Sequence, residues 1–259
     1  MTQVSLKRFS LLSLTAVILA LPNLAHADRR SFVWNYEAKT MQKGETELEY
    51  YLTGSVTRPD GVVDDLVTFD HQVEVEYGIT DNWDVSMYQV FRQREEADGD
   101  EEFKYRGTKL RTRYRFGDIG ERFVDPLIYL EVHHNPFSEE VEFEQKVVLA
   151  KNIENLILAF NMTTEQELKF KDDAQEYLFK PGLAVGYQIR PWVILGVEME
   201  DRILTTSPGG FDHSSFHAGP TISLAGESLW WNVGALIQVT DAYTEEPRYE
   251  VRSLMGIYF

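Results

Sequence analysis

The last ten residues of the chain, EVRSLMGIYF at positions 250–259, decide its fold. With a period of two, Val251, Met255, Ile257 and Phe259 lie on one face, which only Ser253 interrupts. This alternation is typical of a strand with one apolar face. Because chain ends are usually frayed and polar, we expect this end to be held in a sheet up to its final residue.

The first 27 residues have the pattern of a secretory signal peptide. Lys7 and Arg8 precede the apolar residues 9–21, and a break at Pro22 leads to the small-residue site Ala25–Ala27. The apolar stretch is shorter than the roughly 20 residues that a membrane-spanning helix needs. We therefore expect export and cleavage at the end of that site, rather than an uncleaved anchor.

The composition excludes several classes of function. The chain carries 25 Lys and Arg against 42 Asp and Glu, a formal net charge of −17, which disfavours nucleic-acid binding. It has no cysteine, so an exported form cannot depend on disulfides. No phosphate-binding or dinucleotide motif is present, and we expect no cofactor.

Short alternating segments follow one another through the rest of the chain. In LVTFDHQVEVEY, residues 66–77, Val73, Val75 and Tyr77 share one face and Glu74 and Glu76 share the other. No later apolar run is long enough to cross a membrane as a helix, and the remaining way to expose a backbone to lipid is a closed barrel. The pattern therefore predicts an all-β, antiparallel, up-and-down transmembrane barrel.

Twelve strands are predicted, with connections that alternate between long polar loops and tight turns. The even number and the alternation are typical of outer-membrane barrels, with both chain termini on the periplasmic side. Residues 44–259 form the predicted barrel, and residues 28–43 a periplasmic lead-in or a lumen insert; whether residues 31–41 form an extra strand stays open. The predicted strands are 44–56, 64–79, 82–95, 102–116, 126–136, 139–153, 156–171, 175–190, 192–206, 214–227, 229–241 and 247–259.

Tryptophans support a membrane location. Trp83, Trp192, Trp230 and Trp231 all follow tight turns, which is where an aromatic girdle at the membrane interface would lie.

Charged residues at alternate positions are predicted to line the lumen. A row of cations facing lipid would cost roughly 2–4 kcal/mol for each residue near the midplane, so the row on the fourth strand must face inward. The predicted lumen residues are Lys109, Arg111, Arg113 and Arg115 on that strand, Glu45, Glu47 and Glu49 from the first strand, and Asp70, Glu74 and Glu76 from the second.

Two interpretations of this lumen stay open. In one, the basic row faces acidic rows across a wet pore and tunes the passage of solutes. In the other, the charges pair and plug a narrow lumen. Twelve strands lie between the roughly eight whose interior side chains can fill and the 16–18 that leave an aqueous channel.

An enzyme is the alternative from another class. Some twelve-stranded outer-membrane barrels hydrolyse lipids, and FDHSSFHAG at 211–219 brings His213, Ser214, Ser215 and His217 to the predicted outer rim beside Asp212. A Ser–His pair with an orienting carboxylate is the minimum for acyl transfer. Neighbours in sequence do not make a triad, so we predict no catalytic residue and no enzyme.

Two further patterns suggest cations without specifying a site. His133 and His134 are neighbours on a strand and point to opposite faces, so a shared metal is not expected. The acidic loop REEADGDEE, residues 94–102, offers carboxylates to Ca²⁺ or to lipopolysaccharide through divalent ions. It lacks the spacing of a calcium loop, and we predict no metal site.

The signal peptide, the turn YGITDNWDV, the evenly spaced short turns and the terminal GIYF resemble Gram-negative outer-membrane β-barrels. In that group the barrel-assembly machinery reads a C-terminal Phe preceded by alternating apolar residues. Phe259, Ile257 and Met255 match this signal, and Ser253 departs from it. The resemblance implies an outer-membrane location and contact with membrane lipid and lipopolysaccharide.

A second resemblance covers one stretch only. WNYEAKTMQKGETELEYYLT, residues 34–53, is similar to poorly characterised outer-membrane transporters, including those of phenol-degradation pathways. It implies passage of small solutes and supplies no substrate. The chain is therefore predicted to be a pore or transporter for small solutes, with a plugged structural or adhesion barrel as the other non-enzymatic alternative.

Overall fold

The structure is a computed structural model that describes residues 29–57, 66–95, 101–138, 140–169, 175–207, 209–240 and 246–259. The predicted signal peptide and most of the acidic loop 94–102 lie outside these residues. Within them, no helix is long and apolar enough to cross a membrane. The strands are β1 (Thr46–Thr57), β2 (Leu66–Thr80), β3 (Trp83–Glu95), β4 (Glu101–Arg115), β5 (Asp125–His134), β6 (Glu140–Ile153), β7 (Leu156–Lys169), β8 (Gln175–Arg190), β9 (Val193–Ser207), β10 (Gly210–Ala225), β11 (Leu229–Gln238) and β12 (Tyr249–Tyr258).

Each strand pairs antiparallel with its neighbours in the chain, and β1 pairs with β12 to close a barrel. The Phe259 amide donates to the Thr46 carbonyl at 3.2 Å, so the pairing reaches the last residue. The predicted all-β up-and-down barrel of twelve strands is confirmed, with boundaries that differ by a few residues. Closure leaves no unpaired strand edge.

The two ends of the barrel differ. The connection β4–β5 and the tight turns β2–β3, β6–β7, β8–β9 and β10–β11 lie at the end where β1 begins and β12 finishes, which we call the turn end. The opposite end, the loop end, carries the other six connections. The position of a residue along its strand therefore shows whether its side chain lies near the turn end or near the loop end of the lumen.

The outer surface is apolar and the inner surface is polar, as strand alternation requires. Trp83, Trp192 and Trp231 are exposed on the outside, whereas Trp230 is 1% exposed and faces the lumen. The expectation that Trp230 belongs to an interfacial girdle is therefore wrong, because adjacent strand residues point to opposite faces. Trp231 also explains the polar interruption at Ser253, since its Nε1 donates to that hydroxyl at 2.8 Å.

The barrel's interior is occupied by residues 29–43, which we call the lumen segment. It forms no strand, and Phe32 and Val33 are completely buried. Three apolar clusters join it to the wall: Phe32 packs with Ile157, Ala159, Ala184 and Ile194; Val33 and Trp34 with Tyr51, Tyr88, Val90, Trp230, Leu236 and Leu254; and Tyr36 and Ala38 with Leu127, Tyr129, Val148 and Ala150.

Glycines in the wall make room for this segment. An added Cβ at Gly234 would lie 2.6 Å from a Trp34 ring carbon, and one at Gly186 would lie 3.0 Å from a Phe32 ring carbon. An added Cβ at Gly196 would also lie close to the same Phe32 ring. We call these wall positions, together with Gly182, the glycine recess. Their lack of side chains lets the lumen segment pack directly against the strands.

Gly234→Val is expected to displace the lumen segment, because its side chain would overlap Trp34 and Val33. Overpacking of this kind costs about 1–3 kcal/mol. Trypsin should then cut at Lys39 about tenfold faster than in the parent barrel. Ala235→Val, at the next residue and on the outer face, is the matched control. Equal cleavage rates in the two variants would show that the recess does not hold the segment.

Candidate functional site

One buried carboxylate holds the middle of the lumen segment. Glu198, on β9, is completely buried. It accepts hydrogen bonds from the backbone amides of Val33 at 2.7 Å, Trp34 at 2.9 Å and Asn35 at 2.8 Å. The Asn35 side-chain amide adds a fourth at 3.1 Å. Four donors offset the cost of burying this charge.

Side chains from other strands fix the rest of the segment. Asn161, on β7, accepts from the Tyr36 amide at 2.8 Å and donates to the Tyr36 carbonyl at 2.9 Å. Asp84, on β3, accepts from the Met41 amide at 3.1 Å. Thr40 donates to a carbonyl of the β2–β3 turn. The segment thus begins and ends near the turn end and points its middle residues toward the loop end.

The predicted basic row lies inside the barrel, and each member has partners. Arg111 pairs with Glu74 at 2.8 Å and also with Glu76. Arg113 pairs with Glu76 and, at 2.7 Å, with Asp84. All of these side chains are almost completely buried. They form a compact ion-pair network beside the lumen segment rather than an open row of charge.

The ends of that row have other partners. Lys109 pairs with Glu131 at 2.8 Å. Arg115 donates to the carbonyl oxygens of Gly117 at 2.6 Å and Asp81 at 2.9 Å, which anchors the turn end.

The predicted acidic residues also have specific partners. Glu47 accepts from the Trp230 indole and Glu49 from the Tyr51 hydroxyl. Asp70 pairs with Arg92 at 2.6 Å toward the loop end. Glu45 precedes β1 and is half-buried.

A cavity of about 390 Å³ lies between the lumen segment and the loop end. Arg30, Trp34, Asn35 and Tyr36 form its floor. Its wall carries charged pairs: Lys109–Glu131, Lys146–Glu144 at 2.9 Å, Lys180–Glu165, and Arg202 with Glu200 at 2.8 Å and Glu250 at 2.6 Å. The cavity is therefore lined mainly by charged and polar side chains.

The sequence did not identify the floor of this cavity, nor Asp84, Glu131 and Lys180. The sequence did contain one signal that the lumen is filled. At the turn end, strands such as β7 lose their alternation, because Ile157 and Ala159 face Phe32 inside the barrel. Apolar residues on both faces of a barrel strand indicate that something apolar fills the lumen.

The Ser/His group does not have the arrangement of a hydrolase. Ser214 donates to Asp201 at 2.8 Å. The two ring nitrogens of His217 contact the carbonyl oxygens of Ser215 at 3.3 Å and Pro247 at 3.0 Å. Neither ring nitrogen of His217 contacts a serine hydroxyl, and among the described residues the buried Ser215 hydroxyl has no hydrogen-bond partner.

The second histidine of this group contacts carboxylates. The ring nitrogens of His213 lie 2.9 Å from Asp212 and 3.4 Å from Glu246. Elsewhere, His133 contacts Glu142 at 3.4 Å, while His134 is exposed. In the described part of the chain, no group of three or more His, Asp or Glu side chains is arranged to hold a metal ion.

No protein-family model and no curated protein sequence matches this chain. Solved structures share its fold. An outer membrane channel from Pseudomonas putida F1 matches with a TM-score of 0.67 and 10% identity, over 86% of this chain and 98% of that one. The KdgM porin, in complex with disordered oligogalacturonate, matches with a TM-score of 0.53 and 8% identity, over 82% and 99%.

The translocator domain of the autotransporter NalP from Neisseria meningitidis also matches, with a TM-score of 0.53 and 10% identity, over 84% of this chain and 89% of that one. The resemblance to outer-membrane β-barrels is therefore confirmed at the level of the fold.

Arg113→Leu is expected to destabilise the barrel, because it leaves Glu76 and Asp84 buried with fewer cations. Removing one partner of a buried ion pair costs about 3–5 kcal/mol. The free energy of unfolding in urea, measured in lipid vesicles, would report the loss. Lys104→Leu, which breaks an exposed pair with Glu102 on the same strand, should cost less than about 1 kcal/mol. Similar values for both variants would contradict the buried network.

Glu198→Ala is expected to loosen the lumen segment without opening the barrel. Three buried amides would lose their acceptor, at about 1–3 kcal/mol each. Hydrogen exchange at residues 33–35 should quicken by at least about tenfold. The control is Asp201→Ala, on the outer face of the same strand. Unchanged exchange at 33–35 would show that Glu198 does not hold the segment.

Proposed function

We propose that this chain is an outer-membrane channel for small solutes, closed at rest by the lumen segment and opened when that segment shifts. One observation carries the proposal. The turn end of the lumen is filled by a separate stretch of chain that lies in a glycine recess, together with the wall side chains that pack against it. A stretch of this kind can move while the strand pairing stays intact.

The surface of the barrel supports the location. Residues such as Val73, Val75, Met87 and Leu110 are exposed on its outer face, where lipid would cover them. Phe259 is also exposed, as a residue read by the barrel-assembly machinery needs to be. Contacts with membrane lipid and lipopolysaccharide, and assembly by that machinery, belong to the same proposal.

The contacts of the lumen segment suit a reversible closure. Its backbone amides donate hydrogen bonds to the side chains of Glu198 and Asn161. In an open lumen, hydrogen bonds to water or to a solute could replace these contacts. The ion pairs of Arg111 and Arg113 lie within the wall and need not break when the segment moves. A minor open population is enough for passage, and a solute that prefers it would raise that population.

The two alternative functions have weaker support. A plugged structural barrel would leave the cavity at the loop end without a role. A lipid hydrolase would need a base beside a serine, whereas the ring nitrogens of His217 face carbonyl oxygens and those of His213 face carboxylates.

A disulfide between the lumen segment and the wall tests the proposal. The chain has no cysteine, so Asn35→Cys with Gly182→Cys would form a single defined pair. An added Cβ at Gly182 lies 3.3 Å from the Asn35 Cγ, which is compatible with disulfide geometry. In planar bilayers, we expect channel openings from the reduced double variant. These openings should disappear after oxidation forms the disulfide.

The controls separate the alternatives. Each single cysteine variant should conduct equally under oxidising and reducing conditions. Deletion of residues 29–43 should give a larger and constant conductance. If the deletion variant migrates as a folded barrel on unheated gels but shows no conductance, the structural barrel would be favoured. Equal conductance of the oxidised and reduced double variant would show that solutes do not pass the segment.

A further inference from the structure

Two cations of the cavity differ from the others. Lys109, Lys146, Lys180 and Arg202 each form an ion pair with a neighbouring carboxylate. Arg30 and Arg252 also line the cavity. Within the described ranges, neither has a carboxylate oxygen within 4.0 Å of its guanidinium nitrogens.

Arg30 lies at the floor and is only 8% exposed. It donates to the Tyr51 hydroxyl and to the Val33 carbonyl, both at 3.2 Å, and its buried Nε has no acceptor among the residues that the structure describes. The Tyr51 hydroxyl lies within hydrogen-bond distance of both Glu49 and Glu74, so Arg30 reaches these carboxylates only through a hydroxyl. In the described part of the chain, no carboxylate contacts this buried charge directly.

Trp34 and Arg252 complete the group. Trp34 is 7% exposed, and its buried Nε1 has no acceptor within the described ranges. The Arg252 guanidinium lies 5.5 Å from the Trp34 ring, and its Nε donates to Thr53 at 2.8 Å. The floor of the cavity thus brings together two cations lacking a paired carboxylate and two donors lacking an acceptor.

Such a group calls for an anionic acceptor. A buried donor without a partner costs free energy, and native structures rarely retain one without a reason. A carboxylate matches the planar fork of a guanidinium and accepts several hydrogen bonds. A neutral solute would leave the charge uncompensated, and a cation would be repelled.

We propose that Arg30, Trp34 and Arg252 form a subsite for the carboxylate of a small organic acid that enters from the loop end. Arg252 is only partly buried and makes the first contact. Arg30 supplies a second charge, and the indole donor of Trp34 turns toward the bound oxygen. The paired lysines and glutamates of the wall contact the polar remainder of the solute. This subsite deepens the proposed channel function and rests on it.

Binding to the full-chain barrel in detergent, measured by calorimetry, tests the subsite without needing conduction. Glucuronate and glucose are matched probes, because they differ only in the carboxylate. We expect glucuronate to bind and glucose to bind at least about tenfold more weakly, as loss of a charged hydrogen bond implies. Equal binding of the two would overturn the proposal. Inorganic phosphate that binds as tightly as glucuronate would overturn the assignment to an organic acid.

Two variants locate the site. Arg252→Gln removes the accessible charge, and Trp34→Phe removes one donor while keeping a ring. Each should weaken glucuronate binding, Arg252→Gln by about tenfold and Trp34→Phe by less. The matched controls are Arg94→Gln, toward the loop end, and Trp231→Phe, on the outer face; both should bind like the parent. Trp34 lies outside the strands, so the Trp34→Phe variant still tests the subsite if the Arg252→Gln variant fails to fold.

The outcomes separate this subsite from the channel itself. Glucuronate binding to a barrel that never conducts would overturn the channel and leave the subsite standing. Conductance that depends on the lumen segment, without glucuronate binding, would overturn the subsite and leave the channel standing. Binding that survives both variants would place the carboxylate elsewhere and overturn the assignment.

Discussion

The pairing of β1 with β12 is the constraint on which the rest of this structure depends. It satisfies the edge hydrogen bonds of both strands and gives the sheet an inside and an outside. Along every strand, one side chain in two therefore points into the shared lumen, and the others point outward. The terminal strand retains its pattern to Phe259 because a frayed end would reopen two edges.

A closed barrel of twelve strands has an interior that its own side chains do not fill. Here the lumen segment occupies the turn end, packs against three apolar clusters and offers its amides to Glu198. The wall has adapted to it through the glycine recess and through apolar residues on inward faces. Buried ion pairs such as Arg113–Asp84 are weak contributors to net stability, and we assign them to keeping the remaining polar wall in one arrangement.

The lumen therefore has two chemically distinct levels. At the turn end it is packed, and the charges of the inward-facing wall residues are paired with one another. Toward the loop end it widens into a cavity whose floor is the lumen segment itself. Because Arg30 and Trp34 belong to that segment, a solute bound at the floor would contact the part of the chain whose movement the proposed channel requires. Under that proposal, binding and opening involve the same residues.

The sequence by itself determined the barrel, the number of strands and the inward face of the basic row, because a period of two and the cost of a charge in lipid are local properties. It did not determine what fills the lumen. Residues 28–43 were compatible with a lead-in or an insert, since their partners lie far away in the chain, as Glu198 does. Asp84 and Lys180 likewise became part of the site only through pairs between strands. Only the tertiary structure decided these contacts, because closure brings distant strands around one shared interior and no spacing along the chain records which side chains meet there.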